Sequence, residues 1–463
     1  MCPRVYTAFV SLFAAHLSHA QVLSPKSDRA PGGDAAQVEL ARNMRDGRGL
    51  PANVPAALSK LREMAEAGDT SAMMELGMTY QAPLGVAQDM PEAIRWYELA
   101  AKAGSIPACQ ALYVIYRAGQ GVPANNGKFR EWLTKAAELG DAKAQFSLGN
   151  DYANGEGVPK DDAIAFKWYQ RAAEGGDFSA MNNLGVMCRK GEGVRRDDAA
   201  ALKWYQRAAE GGNAISMVNL GNMYHVGEGV AKDQAVAFRW YGRAAEAGNV
   251  LAMSILGNCY YYGKGTAENN DLAFKWFQRA ATAGDAKARA SLGLCHEGGH
   301  GTPKDPDKAA ECYLLAADAG YVRANVYLGD LYVRGRGVPK DEKKAAVLFR
   351  RAADKSDEVG QYKLGYVYAY GLGVEQDYKE AFAWYQRAAN QGHVAAMTDL
   401  GICYATGNGT VKNEAEAYKW FLVAAVSGTA AAKKNVAVME RRLTSGQRED
   451  GQKRAEAFKV KSE

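Results

Sequence analysis

The letters His296-Glu297-Gly298-Gly299-His300 match a zinc-protease motif. That chemistry needs both imidazoles on one helical turn, the glutamate as base and a third metal ligand elsewhere. Two glycines between the histidines predict that the helix ends there, leaving His300 in a loop. The remaining histidines beyond residue 20, His225 and His393, are too scattered to build another site, so no metal is expected. Six of the seven cysteines follow residue 20: Cys109, Cys188, Cys259, Cys295, Cys312 and Cys403. Cys295 and Cys312 stand at mirrored distances from the Gly298–Pro306 turn, a spacing that allows a disulfide across two antiparallel helices. Buried free thiols are the alternative, because Cys is a small apolar side chain. No phosphate-binding loop, nucleophile elbow or Ser-x-x-Lys stands in a supporting context. The many Gly-x-Gly-Val loops follow helices, not strands. Neither a catalytic residue nor a cofactor is expected.

Composition bounds the partners. Lys and Arg number 57 against 52 acidic residues, a net of +5, and 48% of the chain is hydrophobic. A nucleic-acid binder carries a larger and more clustered basic excess, so nucleic acid is not an expected partner. No apolar run reaches the roughly 18–20 residues of a membrane-spanning helix. Near the start, Arg4 precedes the apolar stretch Val5 to Leu17, and Ser18-His19-Ala20 supplies small residues for cleavage. This is the pattern of a signal peptide over 1–20, cut after Ala20, and it predicts export to the periplasm or beyond. Residues 21–36 read as a polar linker.

What could position any of these groups is a repeat. Leu-Gly recurs at Leu76, Leu148, Leu184, Leu220, Leu256, Leu292, Leu328, Leu364 and Leu400, in steps of 36 or 72 residues. All eight tryptophans, from Trp96 to Trp420, keep one phase of that ladder. Each unit reads as two helices. Helix A carries the Leu-Gly and ends at paired glycines. Helix B starts after Asn53, Asp89, Asn125, Asp161, Asp197, Asp233, Asn269, Asp305, Asp341, Asp377 or Asn413. Asp and Asn at that point accept the orphan amide hydrogens of a first turn. Alanine, tryptophan and tyrosine then share one face at helical spacing and read as core. Such hairpins bury their apolar faces only by stacking. The fold class predicted is all-α: a right-handed α-solenoid of about eleven repeats over 37–428, closed by capping helices over 429–463. The second of these, from Ser445, is expected to be amphipathic. Three local irregularities are also expected. Tyr113, in the slot of the Leu-Gly glycine, should widen its unit. Ser356 and Gly360 mark an irregular bend over Lys355 to Tyr362. Arg171, Arg207 and Arg243 should pair with Glu174, Glu210 and Glu246, three residues on.

The pattern Ala144, Leu148, Gly149, Tyr152, Gly155, Gly157, Val158, Asp161, Ala165, Trp168, Tyr169, Ala172, Ala173 and Gly176 resembles the Sel-1-like repeat family, relatives of tetratricopeptide repeats. The resemblance implies a non-enzymatic adaptor that binds a protein or peptide, often in the cell envelope. It also implies alternatives: weak β-lactam or muropeptide hydrolysis or binding, as in cysteine-rich relatives, or handling of envelope carbohydrate polymers. Those relatives pair cysteines eight residues apart, whereas Ala101 stands eight before Cys109 here.

In solenoids of this kind the A helices line an extended concave binding surface. The variable A-helix positions lie one before, two after and six after the leucine. They supply Asn183, Asn219, Asn222, Asn258, Tyr262, Tyr327, Asp330, Arg334, Tyr366 and Tyr370 as partner-binding candidates. Asn can hydrogen-bond a peptide backbone, and Tyr offers contact area at small entropic cost. The same tyrosines would also serve to stack sugars.

Overall fold

The computed structural model describes residues 33–47 and 53–458. The expected signal peptide lies outside them. The described residues form 24 α-helices and no strand. The first helix, Gly33–Asp46, begins inside the segment read as linker. Residues up to Asp177 and residues from Phe178 onward form two compact units.

Every helix B begins where the sequence placed it. Asp197, for example, is extended at φ −148 and its side chain accepts from the Ala200 amide. All eleven predicted Asp and Asn caps accept a first-turn amide in this way. Each such cap contributes about 1 kcal/mol.

Within a repeat, the two helices meet ring on glycine. In the repeat of Ala214–Val226 and Gln234–Glu246, a Cβ added to Gly221 would lie 2.6 Å from the Tyr241 ring. Tyr241 is 3% exposed. Gly149, Gly185, Gly293 and Gly365 receive tyrosines in the same way, and Gly257, Gly329 and Gly401 receive phenylalanines. The third unit swaps the pair: Tyr113 occupies the glycine slot, and Leu133, 2% exposed, occupies the ring slot. The expected widening loses its cause, because the bulk has moved from one helix to the other.

Between repeats, backbone meets backbone. The second loop glycine, Gly265, has φ +75, and a Cβ there would sit 2.1 Å from the Gln234 carbonyl oxygen, at the start of the preceding helix B. Both conformation and space demand glycine. Gly409 stands to the Tyr378 carbonyl as Gly265 does to Gln234.

The predicted irregular bend at 355–362 is not a break. The Ser356 amide bonds to Ala353 at 3.0 Å and that of Asp357 to Ala352 at 3.1 Å. Gly212 and Asn213 make the same two bonds to Ala209 and Ala208. Ser356 therefore holds the left-handed turn that glycine holds elsewhere, at φ +59, alone among the described non-glycine residues. Gly360 permits close approach: a Cβ there would lie 2.5 Å from that of Ala352.

At the C-terminal end, Ala430–Arg442 follows as one more A-type helix, with Ala432 and Met439 buried. Ser445–Glu456 is not amphipathic, since Gly451 is its one buried residue. Polar contacts hold it instead. Arg454 bonds Glu416 at 2.5 Å, and the Thr444–Gln447 capping box fixes its start.

Candidate functional site

The A-helix face of residues 178–406 carries the variable positions. Tyr262, Tyr366 and Tyr370 are exposed, by 58%, 39% and 63%. Val226, Leu294 and Ile402 fill equivalent positions and are also exposed. Tyr327 is half-buried and meets the Tyr313 ring at 5.2 Å. Arg334 is exposed, and Asp330 is neutralised by Lys363 at 2.8 Å.

Several of the asparagines are also engaged within the fold. Asn222 Oδ1 accepts from the Tyr241 hydroxyl at 2.8 Å, as Asn150 accepts from Tyr169 at 2.7 Å. The position two after the leucine lies over the ring of helix B, and a buried phenol needs an acceptor there. Asn258, opposite Phe277, has no hydroxyl to meet and donates to the Ser254 carbonyl at 3.0 Å. Asn219 and Ser216 both donate to Asn182 Oδ1 at 3.0 Å, and Asn182 donates to Asn183 at 3.4 Å. These amides brace the A helices as well as line them.

Aromatic character concentrates on helix Glu358–Tyr370, where Tyr362, Tyr366 and Tyr370 are spaced i, i+4, i+8 on one face. The Tyr366 and Tyr370 rings stand 4.5 Å apart. Tyr362 stacks on His393 at 4.5 Å, and its hydroxyl is hydrogen-bonded to Asp399. Burial raises the Asp399 pKa, and the Tyr362 hydrogen bond partly opposes it. Burial, then the Asp399 charge, pushes the Tyr362 phenol upward. Alongside, Arg323 bonds Asp357 at 2.6 Å and Glu358 at 2.7 Å. His393 and Asp399 were missed in the sequence. Yet Asp399 occupies the position one before Leu400, so extending the same register by one repeat finds it.

In the unit preceding Phe178, the same register holds charge. Glu75, 2% exposed, accepts from Arg42 at 2.8 Å and from Arg45 at 2.7 Å. In that repeat the network satisfies its own charges.

On helix B the predicted Arg–Glu pairs give way to rings. The guanidiniums of Arg171, Arg207 and Arg243 lie over Trp168, Trp204 and Trp240 at 4.8, 4.9 and 4.4 Å. A partly buried ring face three residues back competes better than an exposed carboxylate. A shallow hollow of about 460 Å³ opens beside Ser356, Gln361, Trp384 and Gln391. Trp384 offers it no free face, because Arg350 and Arg387 lie over the ring at 5.3 and 4.2 Å.

The zinc-like letters do not converge. His296 packs edge-on against Phe274 at 5.4 Å, and His300 against Tyr261 at 5.4 Å, beyond the end of helix Ala286–Gly298. Glu297 accepts from the Tyr313 hydroxyl at 3.0 Å. Among the described residues no His, Cys, Asp and Glu cluster is arranged to hold a metal. Cys295 and Cys312 are free thiols, so the disulfide their spacing allows is not formed in this structure. They are close enough that the charge of Cys312 helps burial push the Cys295 thiol up to about 11.

Stacked helical hairpins presenting an open, aromatic and amide-rich face define an α-solenoid of the interaction-repeat class. The Sel1 repeat model matches eleven segments: 34–69, 70–105, 111–141, 142–177, 178–213, 214–249, 250–285, 286–321, 322–357, 359–393 and 394–427. The chain belongs to the Sel1 repeat family. It is similar to a protective antigen of uropathogenic Escherichia coli that displays the SLR fold. Identity is 32%, coverage is 92% of each chain, and the TM-score is 0.78. It is also similar to a Sel1 repeat protein from Oxalobacter formigenes, at 30% identity and TM-score 0.50, over 53% of this chain and 96% of that one. No curated protein matches the sequence. Sel1 repeats generally mediate protein interaction, and no helix among the described residues is long and apolar enough to cross a membrane.

Proposed function

We propose that this chain is a non-enzymatic adaptor of the cell envelope. It grips an extended segment of a partner protein along the A-helix face between Asn183 and Tyr370. One observation carries the reading: Tyr262, Tyr366 and Tyr370 are left largely exposed on the A-helix face, each ring keeping much of its apolar surface in water. Tyr is the side chain that best supplies amphipathic contact at low entropic cost. The amides of Asn183 and Asn219 offer hydrogen bonds to a backbone lying across them. Burial raises the Asp399 pKa, and its carboxyl is tied to the Tyr362 hydroxyl at the C-terminal part of that face. Envelope residence rests on the predicted signal peptide over 1–20, and the similar E. coli protein is described as a protective antigen.

The test places a photo-crosslinking residue at Tyr366 or Tyr370, with Lys203 on helix B as reference, in cells of the native host. Crosslinks from the two tyrosine sites to one protein, lost when Tyr262 and the other of the two tyrosines are changed to alanine, support the face. Crosslinks from Lys203 alone overturn it. Fractionation that leaves the chain in the cytoplasm with residues 1–20 attached overturns envelope residence.

A further inference from the structure

The last two helices depart from the repeat in a way that uncovers one surface. In each repeat, helix B packs along its own helix A. Here Ser445–Glu456 packs on Glu414–Ala425 instead and barely touches Ala430–Arg442. Phe458 lies on Trp420 with centroids 5.0 Å apart, and Gly451 sits against Tyr418. The side of Ala430–Arg442 that a helix B would cover is left bare.

That bare side is basic. Lys433, Lys434 and Arg441 are exposed, and none of them takes an ion pair among the described residues. Their neighbours do. Lys412 and Arg442 pair with Glu414 at 3.0 and 3.4 Å, Lys419 with Glu416 at 3.4 Å, and Lys453 with Glu449 at 2.8 Å. Glu440, on the same helix, accepts from the Tyr418 hydroxyl at 3.2 Å. Three exposed cations thus stand together on one face of this helix. Between them stand Ala437 and Val438, the latter 42% exposed, and Val426 before the helix is 89% exposed.

We propose that this face of Ala430–Arg442 docks the chain on an anionic bilayer surface. Unpaired cations meet anionic headgroups, and the aliphatic side chains among them enter the headgroup boundary. The face carries no aromatic ring on which a base could stack, so it is less suited to single-stranded nucleic acid. Each cation near such a surface strengthens binding about fivefold, and three together roughly a hundredfold. The contact is peripheral and weakened by salt.

The test is co-sedimentation of the full chain with vesicles of phosphatidylcholine alone, or with one-third phosphatidylglycerol. The expected result is binding to the anionic vesicles only, falling as salt rises. The Lys433→Gln/Lys434→Gln/Arg441→Gln variant should lose roughly a hundredfold in partition. The Lys203→Gln/Lys232→Gln/Lys275→Gln variant removes the same charge from exposed lysines elsewhere and should bind as the parent does. Circular dichroism and melting of both variants confirm that they fold. Equal binding to both vesicle types, or equal loss in both variants, overturns the proposal. Tighter binding to duplex DNA than to anionic vesicles, abolished by the first variant, overturns the choice of a bilayer.

Discussion

Replacing Gly221 and Gly242 by alanine, one at a time, tests how the hairpin is built. Both glycines are helical and belong to one repeat. Helix propensity favours alanine at each by about 0.8–1 kcal/mol. At Gly242 nothing lies within 4 Å of the new Cβ, so Gly242→Ala should stabilise by about that amount. At Gly221 the new Cβ would stand 2.6 and 2.8 Å from two Tyr241 ring atoms and 3.1 Å from a third. The ring is wedged and cannot swing away, because its hydroxyl is tied to Asn222. Overpacking of this kind costs about 1–3 kcal/mol. Net of propensity, Gly221→Ala should destabilise by about 1 kcal/mol. Nearest-neighbour coupling makes the loss local, so the assay is native-state hydrogen exchange of amides in residues 214–246. The third unit suggests a rescue: Gly221→Tyr with Tyr241→Leu, copying Tyr113 and Leu133, should recover part of the loss. If both alanine variants shift exchange in the same direction, the ring-on-glycine account is wrong.

Three further outcomes are expected. Ser356→Gly relieves a left-handed serine, worth about 1–2 kcal/mol, against about 0.5–1 kcal/mol of glycine entropy. Its urea midpoint should therefore rise slightly, whereas Gly360→Ala should lower it. His393 caps helix Val394–Thr406 through Nδ1, which accepts from the Ala396 amide at 3.1 Å and so requires a neutral ring. Burial lowers its pKa below 6.5, Arg323 and Lys363 add to that, and Glu358 and Asp357 oppose. A lowered pKa means its stabilising effect is complete above pH 6.5 and is lost as pH falls through the folded value. His393→Asn, still a cap, should flatten that decline in stability–pH curves. Thiol titration in denaturant without reductant should count Cys109, Cys188, Cys259, Cys295, Cys312 and Cys403 as free. A deficit of two would show that Cys295 and Cys312 are bonded in solution.

Local rules with strict spacing were legible in the sequence. The eleven caps, the paired loop glycines and the tryptophan ladder each follow from one residue type at one position, and the helices stand where they put them. What was hidden depends on partners across the repeat. Nothing in the local sequence shows that Asn222 answers a tyrosine hydroxyl 19 residues on. Nor does it show that Arg207 prefers the Trp204 face to Glu210. Ser356 read as a disruption because serine is rare at positive φ, but the surrounding turn bonds dictate its backbone. Ser445–Glu456 read as amphipathic because a cap was expected to bury an apolar stripe, and ion pairs hold it instead. On the binding face, the register located Tyr262, Tyr366 and Tyr370, while the coupling of Tyr362, His393 and Asp399 emerged only in three dimensions.

The meeting of Gly265 with the Gln234 carbonyl has an evolutionary consequence. Where that joint brings main chain to main chain, as at Gly265, Gly301, Gly337, Gly373 and Gly409, it asks little of the side chains on either flank. A gene could gain or lose a whole hairpin by duplication or excision among those repeats and still close the seam, whereas a change of a few codons would jam one. Lengthening the protein and rewriting its recognition residues are therefore separate events, and lineages can pursue either without undoing the other.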